Sequence, residues 1–357
     1  MDYLEQRIKE IEEEIAKTPK NKGTEKHLSK LKSKLAILKE QLQKKKTKSS
    51  GKPAYQFAVK KEGDATVAMV GYPSVGKSSL LNLLTNAESE VADYAFTTLN
   101  VVPGIMEYRG AKIQLLDLPG IIEGASYGKG RGREVLSAAR NADLIMIVSD
   151  VDNYEKHFPQ IEKELYEAGF RLNKQPPEVK ITKKDRGGLI IKIAPSIPIN
   201  EKDVKELATD FNLHNAEIII TRAESLEDIA DALIGNRKYV KAIHVVNKSD
   251  KLKTLPSSPY IFISVHTGQG IEKLKQEIWE KLELIRIYTK KPGEKPDLDH
   301  PLIMKKNSHI QDIKEKLKIK GEIKYARVWG ESVKFPGQKV GKDHIVKDKD
   351  IVEIITD

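Results

Sequence analysis

The residues with the strongest claim to chemistry form the run Gly71-Tyr72-Pro73-Ser74-Val75-Gly76-Lys77-Ser78-Ser79. Its first eight positions read G-x-x-x-x-G-K-S, the spacing of a loop whose backbone N–H groups wrap phosphate oxygens. TVAMV before it has strand character and SLLNLL after it helical character, which is the setting such a loop needs. There Gly71 and Gly76 supply geometry, Lys77 reaches the β and γ oxygens, and Ser78 is a ligand for Mg2+. The loop alone does not choose ATP or GTP.

Downstream residues make that choice. Asp117-Leu118-Pro119-Gly120 ends the strand KIQLLD, where the carboxylate can hold the Mg2+ shell and the Gly120 N–H can meet the γ-phosphate. Asn247-Lys248-Ser249-Asp250 ends the strand AIHVVN, and a carboxylate there accepts both N1–H and N2–H2 of guanine. Adenine has no such donor pair and would leave Asp250 unsatisfied, so GTP is favoured over ATP. Ser264-Val265-His266 ends the strand YIFIS and can present backbone N–H groups to the guanine O6. Between the loop and Asp117 lies Phe96-Thr97-Thr98, whose Thr98 hydroxyl is suited to Mg2+ and the γ-phosphate. Lys77, Thr98 and Gly120 are thus the candidate catalytic positions, and Ser78, Thr98 and Asp117 the candidate metal ligands. Gly124 to Gly132 reads either as a loop that reorders when the γ-phosphate leaves or as a tether. Singly, each pattern also reads as an ordinary polar or glycine turn; their order along successive strands carries the argument.

Those positions need a scaffold, and the sequence supplies its elements. The Val- and Ile-rich runs TVAMVG, KIQLLD, DLIMIVS, AIHVVN and YIFIS alternate with helical stretches over Ser78 to Leu84, Arg133 to Arg140 and Ile271 to Ile287. This is the rhythm of an α/β fold with a parallel sheet covered on both faces. The long gap between DLIMIVSD and AIHVVN predicts an inserted α+β domain over 170–235, so the nucleotide domain spans 63–169 and 236–289. Its signals are a strand in GGLIIKIA, another in EIIIT and a helix in SLEDIADALI. Before it, Leu4, Ile8, Ile11 and Ile15, then Leu28, Leu31, Leu35, Leu38 and Leu42, recur at three and four, predicting a helical hairpin over 1–50. Residues 290–357 read as a small β-grasp-sized domain with strands over Lys324 to Trp329 and Ile351 to Ile355 around a helix near His309 to Leu317.

Charge follows this division. Residues 1–50 hold 14 Lys and Arg against 8 Asp and Glu, residues 290–357 hold 16 against 12, and the middle is balanced at 32 each, giving the net +10. Basic flanks suit phosphate backbones, and solvated surface charge is the plain alternative. The absence of cysteine excludes thiolate metal sites and cysteine nucleophiles. With no signal-like leader and no long apolar run, the expectation is a cytoplasmic protein without membrane contact.

With GYPSVGKS, FTTL, DLPGI, NKSD and SVHTG in place, the chain resembles the Obg-type GTPases, specifically the developmentally regulated GTP-binding (DRG) family. The resemblance covers nearly the whole length, through stretches such as GKGRGREVLSAAR, LNKQPPEVKITKKDRGG and KYARVWGESVKFPGQKVGKDH. It implies an N-terminal hairpin, a GTPase domain interrupted by an insert like a ribosomal-protein domain, and a C-terminal TGS domain. It further implies GTP and GDP as substrate and product, association with ribosomes or RNA, and a regulatory protein partner. Ile121 follows DLPG where many switch GTPases place a water-orienting glutamine, so slow intrinsic turnover is expected. Acceleration would come from a partner, another side chain or a monovalent cation; Ser74 stands where some relatives hold potassium with an asparagine. The runner-up reading is an RNA-binding scaffold with a structural nucleotide site, against which Lys77, Ser78, Thr98 and Asp117 argue.

Overall fold

The computed structural model describes residues 3–50, 61–85, 102–118 and 132–357. In chain order these begin with α1 (Tyr3–Lys17), α2 (Glu25–Ser50), β1 (Ala65–Val70), α3 (Lys77–Leu84), β2 (Val102–Tyr108), β3 (Ala111–Asp117), α4 (Gly132–Arg140), β4 (Leu144–Asp150) and α5 (Tyr154–Glu167). Then come β5 (Phe170–Leu172), β6 (Glu178–Lys183), β7 (Leu189–Ile193), α6 (Glu201–Asp210), β8 (Ala216–Arg222), α7 (Leu226–Ile234), β9 (Lys238–Asn247) and β10 (Ile261–Phe262). The C-terminal part holds α8 (Ile271–Leu282), β11 (Leu284–Thr289), β12 (Leu302–Lys305), α9 (Ile310–Lys316), β13 (Ile323–Trp329), β14 (Gln338–Val340) and β15 (Ile351–Thr356). The chain divides into two compact units, Met1–Gln56 with Gly169–Tyr239, and Phe57–Ala168 with Val240–Asp357.

In the second unit the strands run β10-β9-β4-β1-β3-β2. All neighbours are parallel except β2, which folds back on β3 as an antiparallel hairpin. Every residue of β1 and of β4 is buried, the signature of strands covered on both faces. The expected P-loop α/β core is therefore present. Because these strands are parallel, β1, β3, β4, β9 and β10 all end on one edge, which carries the phosphate loop after β1, Asp117 at the end of β3, Asn247 to Asp250 after β9 and Ser264 to His266 after β10.

The helix expected over Ile271 to Ile287 stops at Leu282. Glu283 adopts a left-handed conformation, φ 52°, which ends the helical hydrogen bonding. Leu284, Ile285 and Ile287 then extend as β11, whose β-branched residues suit a strand. This strand belongs to a second sheet, ordered β12-β11-β15-β13-β14, over which α9 packs through Ile310 and Ile313.

In the first unit, α6 and α7 cover one face of a three-stranded sheet ordered β6-β8-β7. The hairpin helix α2 enters this same core: Ile37, 3% exposed, lies in one cluster with Val204, Leu207 and Ile229. Ile8, Ile11, Leu28 and Leu31 are buried along the α1–α2 seam, as their spacing demands. Ile37→Val removes one methylene from that cluster. It should lower the unfolding free energy by about 1 kcal/mol, read as an earlier urea midpoint by circular dichroism. An unchanged midpoint would mean that α2 is not part of this core.

Candidate functional site

The phosphate loop is built by backbone before side chains. β1 ends at Val70, and the chain turns through Gly71 to Gly76 into α3. Ser74 and Gly76 take positive φ values of 63° and 92°. A Cβ on Gly76 would lie 2.4 Å from Asn247 Nδ2, and one on Gly71 would lie 2.2 Å from the Val148 carbonyl oxygen. Both glycines are therefore demanded by close approach of neighbouring strand ends. Val75 is buried beneath the loop, whereas Pro73, Ser74, Ser78 and Ser79 face solvent.

Lys77 folds back over this cradle. Its Nζ donates to the carbonyl oxygens of Gly71 and Tyr72 at 3.1 and 3.0 Å. Burial pushes its pKa below the ordinary lysine value, and the Asp117 carboxylate opposes that shift. A buried ammonium hydrogen-bonded to two carbonyl oxygens, with one carboxylate nearby, gains further from an incoming phosphate anion.

Asp117 arrives from β3, whose register sets it beside Met69 of β1. Ser78 Oγ donates to Asp117 Oδ2 at 2.5 Å. A hydroxyl and a carboxylate converging beside a phosphate loop form a hard-oxygen donor set, which fits Mg2+ and its preference for few protein ligands. The remaining expected participants, Thr98 and Gly120, lie outside the described residues, as do Ile121 and nearly all of the Gly124 to Gly132 loop.

The opposite end of the site is organised by Asn247. Its Nδ2 donates to the Val75 carbonyl at 3.0 Å, and its Oδ1 accepts from the Val265 N–H at 3.2 Å. One amide thus joins the phosphate loop to the loop after β10. Lys248, in a left-handed conformation, donates through Nζ to the Ser74 carbonyl at 3.2 Å and pairs with Asp150 Oδ2 at 2.9 Å. Asp250 lies beyond it, with Ser264 Oγ donating to its Oδ1 at 2.5 Å. That hydrogen bond lowers the Asp250 pKa and keeps the carboxylate ionised. Ser264 is buried against Asp250, Val265 is half-buried and His266 exposed, so the segment runs from the core out to the surface beside Asp250.

Asp150 and the α5 residues His157 and Gln160, which support the site, escaped the motif reading. Asp150 ends β4 in register with Asn247, and Asn153 supports its carboxylate at 2.9 Å. Its place at a strand end beside NKSD was a usable signal. Tyr72 stacks on His157 with ring centroids 4.3 Å apart, and its hydroxyl donates to Gln160 Oε1 at 3.0 Å. These contacts fasten the loop to α5, and nothing in the spacing of α5 announced them. A separate cavity of about 880 Å3 in the first unit is lined by four lysines and four acids, so it carries no net preference for an anion.

Residues 66–184 match the family described as 50S ribosome-binding GTPase, residues 186–284 its C-terminal extension, and residues 285–356 the TGS domain. An uncharacterized GTP-binding protein of Methanocaldococcus jannaschii is 49% identical, over 99% of this chain and 93% of its own. Developmentally-regulated G-protein 3 of Arabidopsis thaliana is 46% identical over 99% of both chains. Developmentally-regulated GTP-binding protein 1 of Xenopus laevis is 45% identical over 98% of both. Among solved structures, the G domain of the T. maritima FeoB iron transporter aligns with 61% of this chain and 98% of its own, at 21% identity and a TM-score of 0.32.

Proposed function

Since the chain belongs to the developmentally regulated GTP-binding protein family and is a GTPase, we propose that its GTP cycle switches the protein on and off a ribosome or another RNA partner in the cytoplasm. The observation that carries the nucleotide part is the span of Asn247. It ties the loop bearing Lys77 and Ser78 to the loop bearing Val265, beside Asp250. A base and a triphosphate are thus read by one connected frame.

In this reading Gly71 to Ser79 wrap the phosphates, Asp250 accepts from the guanine N1–H and N2–H2, and Ser264, Val265 and His266 line the O6 edge. Lys248 holds the loop and the base region at fixed separation through Ser74 and Asp150. Ser78, Thr98 and Asp117 would hold Mg2+, which when bound draws charge from the β and γ oxygens. Lys77 places a positive charge where negative charge grows as the γ-phosphoryl leaves, and the Gly120 N–H supports the same oxygens. With Ile121 in place of a water-orienting glutamine, fast turnover needs help from outside this set. A regulatory protein, the ribosome or K+ near Ser74 are the three candidates.

The segments divide the work accordingly: 63–169 with 236–289 for nucleotide, 1–50, 170–235 and 290–357 for contacts. The family description of a ribosome-binding GTPase and the net charges of +6 and +4 at the two ends support an RNA partner. Among the described residues no helix is long and apolar enough to cross a membrane.

The test is hydrolysis of labelled GTP and ATP by the full chain, with and without ribosomes, in K+ and in Na+ buffers. The expected result is GTP turnover that is slow alone and faster by tenfold or more with ribosomes. Equal rates with and without ribosomes, in either salt, would remove the switch from translation. No turnover anywhere would favour the scaffold reading instead.

A further inference from the structure

The cavity of about 880 Å3 in the first unit shares no residue with the nucleotide site, and its size falls within the range of about 300 to 1,000 Å3 in which proteins hold small molecules. Its floor is apolar. Leu28 of α2 and Leu226 of α7 are buried there, with Ile15 of α1 and Ile199, just ahead of α6, half-buried beside them. The charges stand around this floor and divide by wall. The α1–α2 side brings Lys20, Lys22, Lys26 and Lys32 with a single acid, Glu25, whereas the α6–α7 side brings Asp203, Glu224 and Glu227 and no cation. The cavity is neutral as a whole and polarised across its width.

Part of that charge is already spent. Lys32 pairs with Glu227 at 3.4 Å, and Lys30, also on α2, holds Asp203 at 2.6 Å, so these pairs tie the two walls together. Lys20, Lys22, Lys26 and Glu25 on one wall and Glu224 on the other form no ion pair among the described residues. Three lysines against one glutamate leave the first wall an anion's partner. On the second wall the N–H groups of Glu224 and Ser225 both donate to Asp228 Oδ2, at 2.9 and 3.1 Å, so those backbone donors are taken and the Glu224 carboxylate is left to meet a cation. Ser29, which also lines the cavity, carries a buried hydroxyl with no hydrogen-bond partner among the described residues, a loose polar group of the kind a bound ligand satisfies.

We propose that this cavity binds a small zwitterion with an apolar body, the chemistry of a short peptide with free ends. Its anionic end meets Lys20, Lys22 and Lys26, its cationic end meets Glu224, and its side chains cover Leu28 and Leu226. A bare anion leaves Glu224 and the floor unmet, and a bare cation leaves the three lysines so. Burial of apolar surface supplies most of the affinity, and the separated charges supply the orientation. The inference stands apart from the GTP and RNA readings above, and neither falls with it.

The probe is the tripeptide Ala-Leu-Ala in four forms: free at both ends, acetylated at the amine, amidated at the carboxylate, and blocked at both. Each is titrated with the full-length protein and followed by the transverse relaxation of its leucine methyl signals. The free form should bind best. Because exposed ion pairs are individually weak, each block should cost about fivefold in affinity. Glu224→Gln should erase the loss caused by acetylation, and Lys22→Gln with Lys26→Gln should erase most of the loss caused by amidation. All three side chains are exposed, so both variants should keep the fold, which circular dichroism checks. Equal affinity of the four forms, no binding of the free form, or discrimination that survives in both variants would each overturn the site. Displacement of the peptide by inorganic phosphate at equal concentration would overturn it as well and leave a plain anion site.

Discussion

Asp250→Asn should exchange the base that this protein prefers, lowering GTP affinity about a hundredfold or more and raising affinity for xanthosine triphosphate. The Ser264 hydroxyl already occupies one position on Oδ1 and keeps the carboxylate ionised, so Asp250 offers only acceptors to an incoming base. Guanine answers with two donors on adjacent atoms. An asparagine in the same place keeps one acceptor but turns an N–H2 toward the guanine N2–H2, donor against donor, and the desolvated groups find no partner. Xanthine carries a carbonyl at that position, so the same amide is satisfied on both sides. Competition of GTP and xanthosine triphosphate against a fluorescent nucleotide, with Mg2+ saturating, measures the exchange. If the variant binds GTP as the wild type does, Asp250 does not read the base.

How much of this was legible in the sequence depended on whether a residue acts through its neighbours in the chain or across the fold. The buried strands declared themselves by runs dominated by Val, Ile, Leu, Met and Ala, because a strand covered on both faces favours apolar side chains on both. The phosphate loop was legible for a similar reason: Gly71 and Gly76 are imposed by local backbone approach, and the required residues are consecutive. Glu283 shows the opposite case. Its surroundings read as a continuing amphipathic helix, and only the demand of the C-terminal sheet for β11 makes the chain turn left-handed there. His157 and Gln160, the partners of Tyr72, are similarly silent, since a ring contact between a loop and a helix almost ninety residues apart leaves no period to find. Ile37 belongs to this class too. Its heptad-like neighbours explain why α2 pairs with α1, but not why one residue of α2 completes a core built from α6, β8 and α7, far along the chain.

Lys77→Met should abolish most turnover while leaving the fold in place. Methionine matches the lysine stem in length and stays buried as the stem does, so the aliphatic packing survives. What goes is the Nζ that joins the Gly71 and Tyr72 carbonyls, and with it the charge available to the γ-phosphate. Removing one charge-stabilising donor from such a site slows chemistry by about a thousandfold, equivalent to about 4 kcal/mol of transition-state stabilisation. The pH profile separates this role from a structural one. Burial lowers the Lys77 pKa in the nucleotide-free fold, whereas bound phosphate favours the ammonium. Nucleotide affinity of the wild type should therefore decline as pH rises through the lowered value, because binding must then first restore a proton. Folding stability moves the other way. Below the lowered value the lysine is charged in both states and its burial cost is constant; between that value and 10.5 the unfolded chain keeps a proton that the fold has given up, so this cost is relieved as pH rises. The methionine variant should show neither trend from this position, in GTP affinity or in urea midpoint. Should its affinity fall with pH along the wild-type curve, the titrating group is another one, and Lys77 would be a filler of the loop instead of its charge.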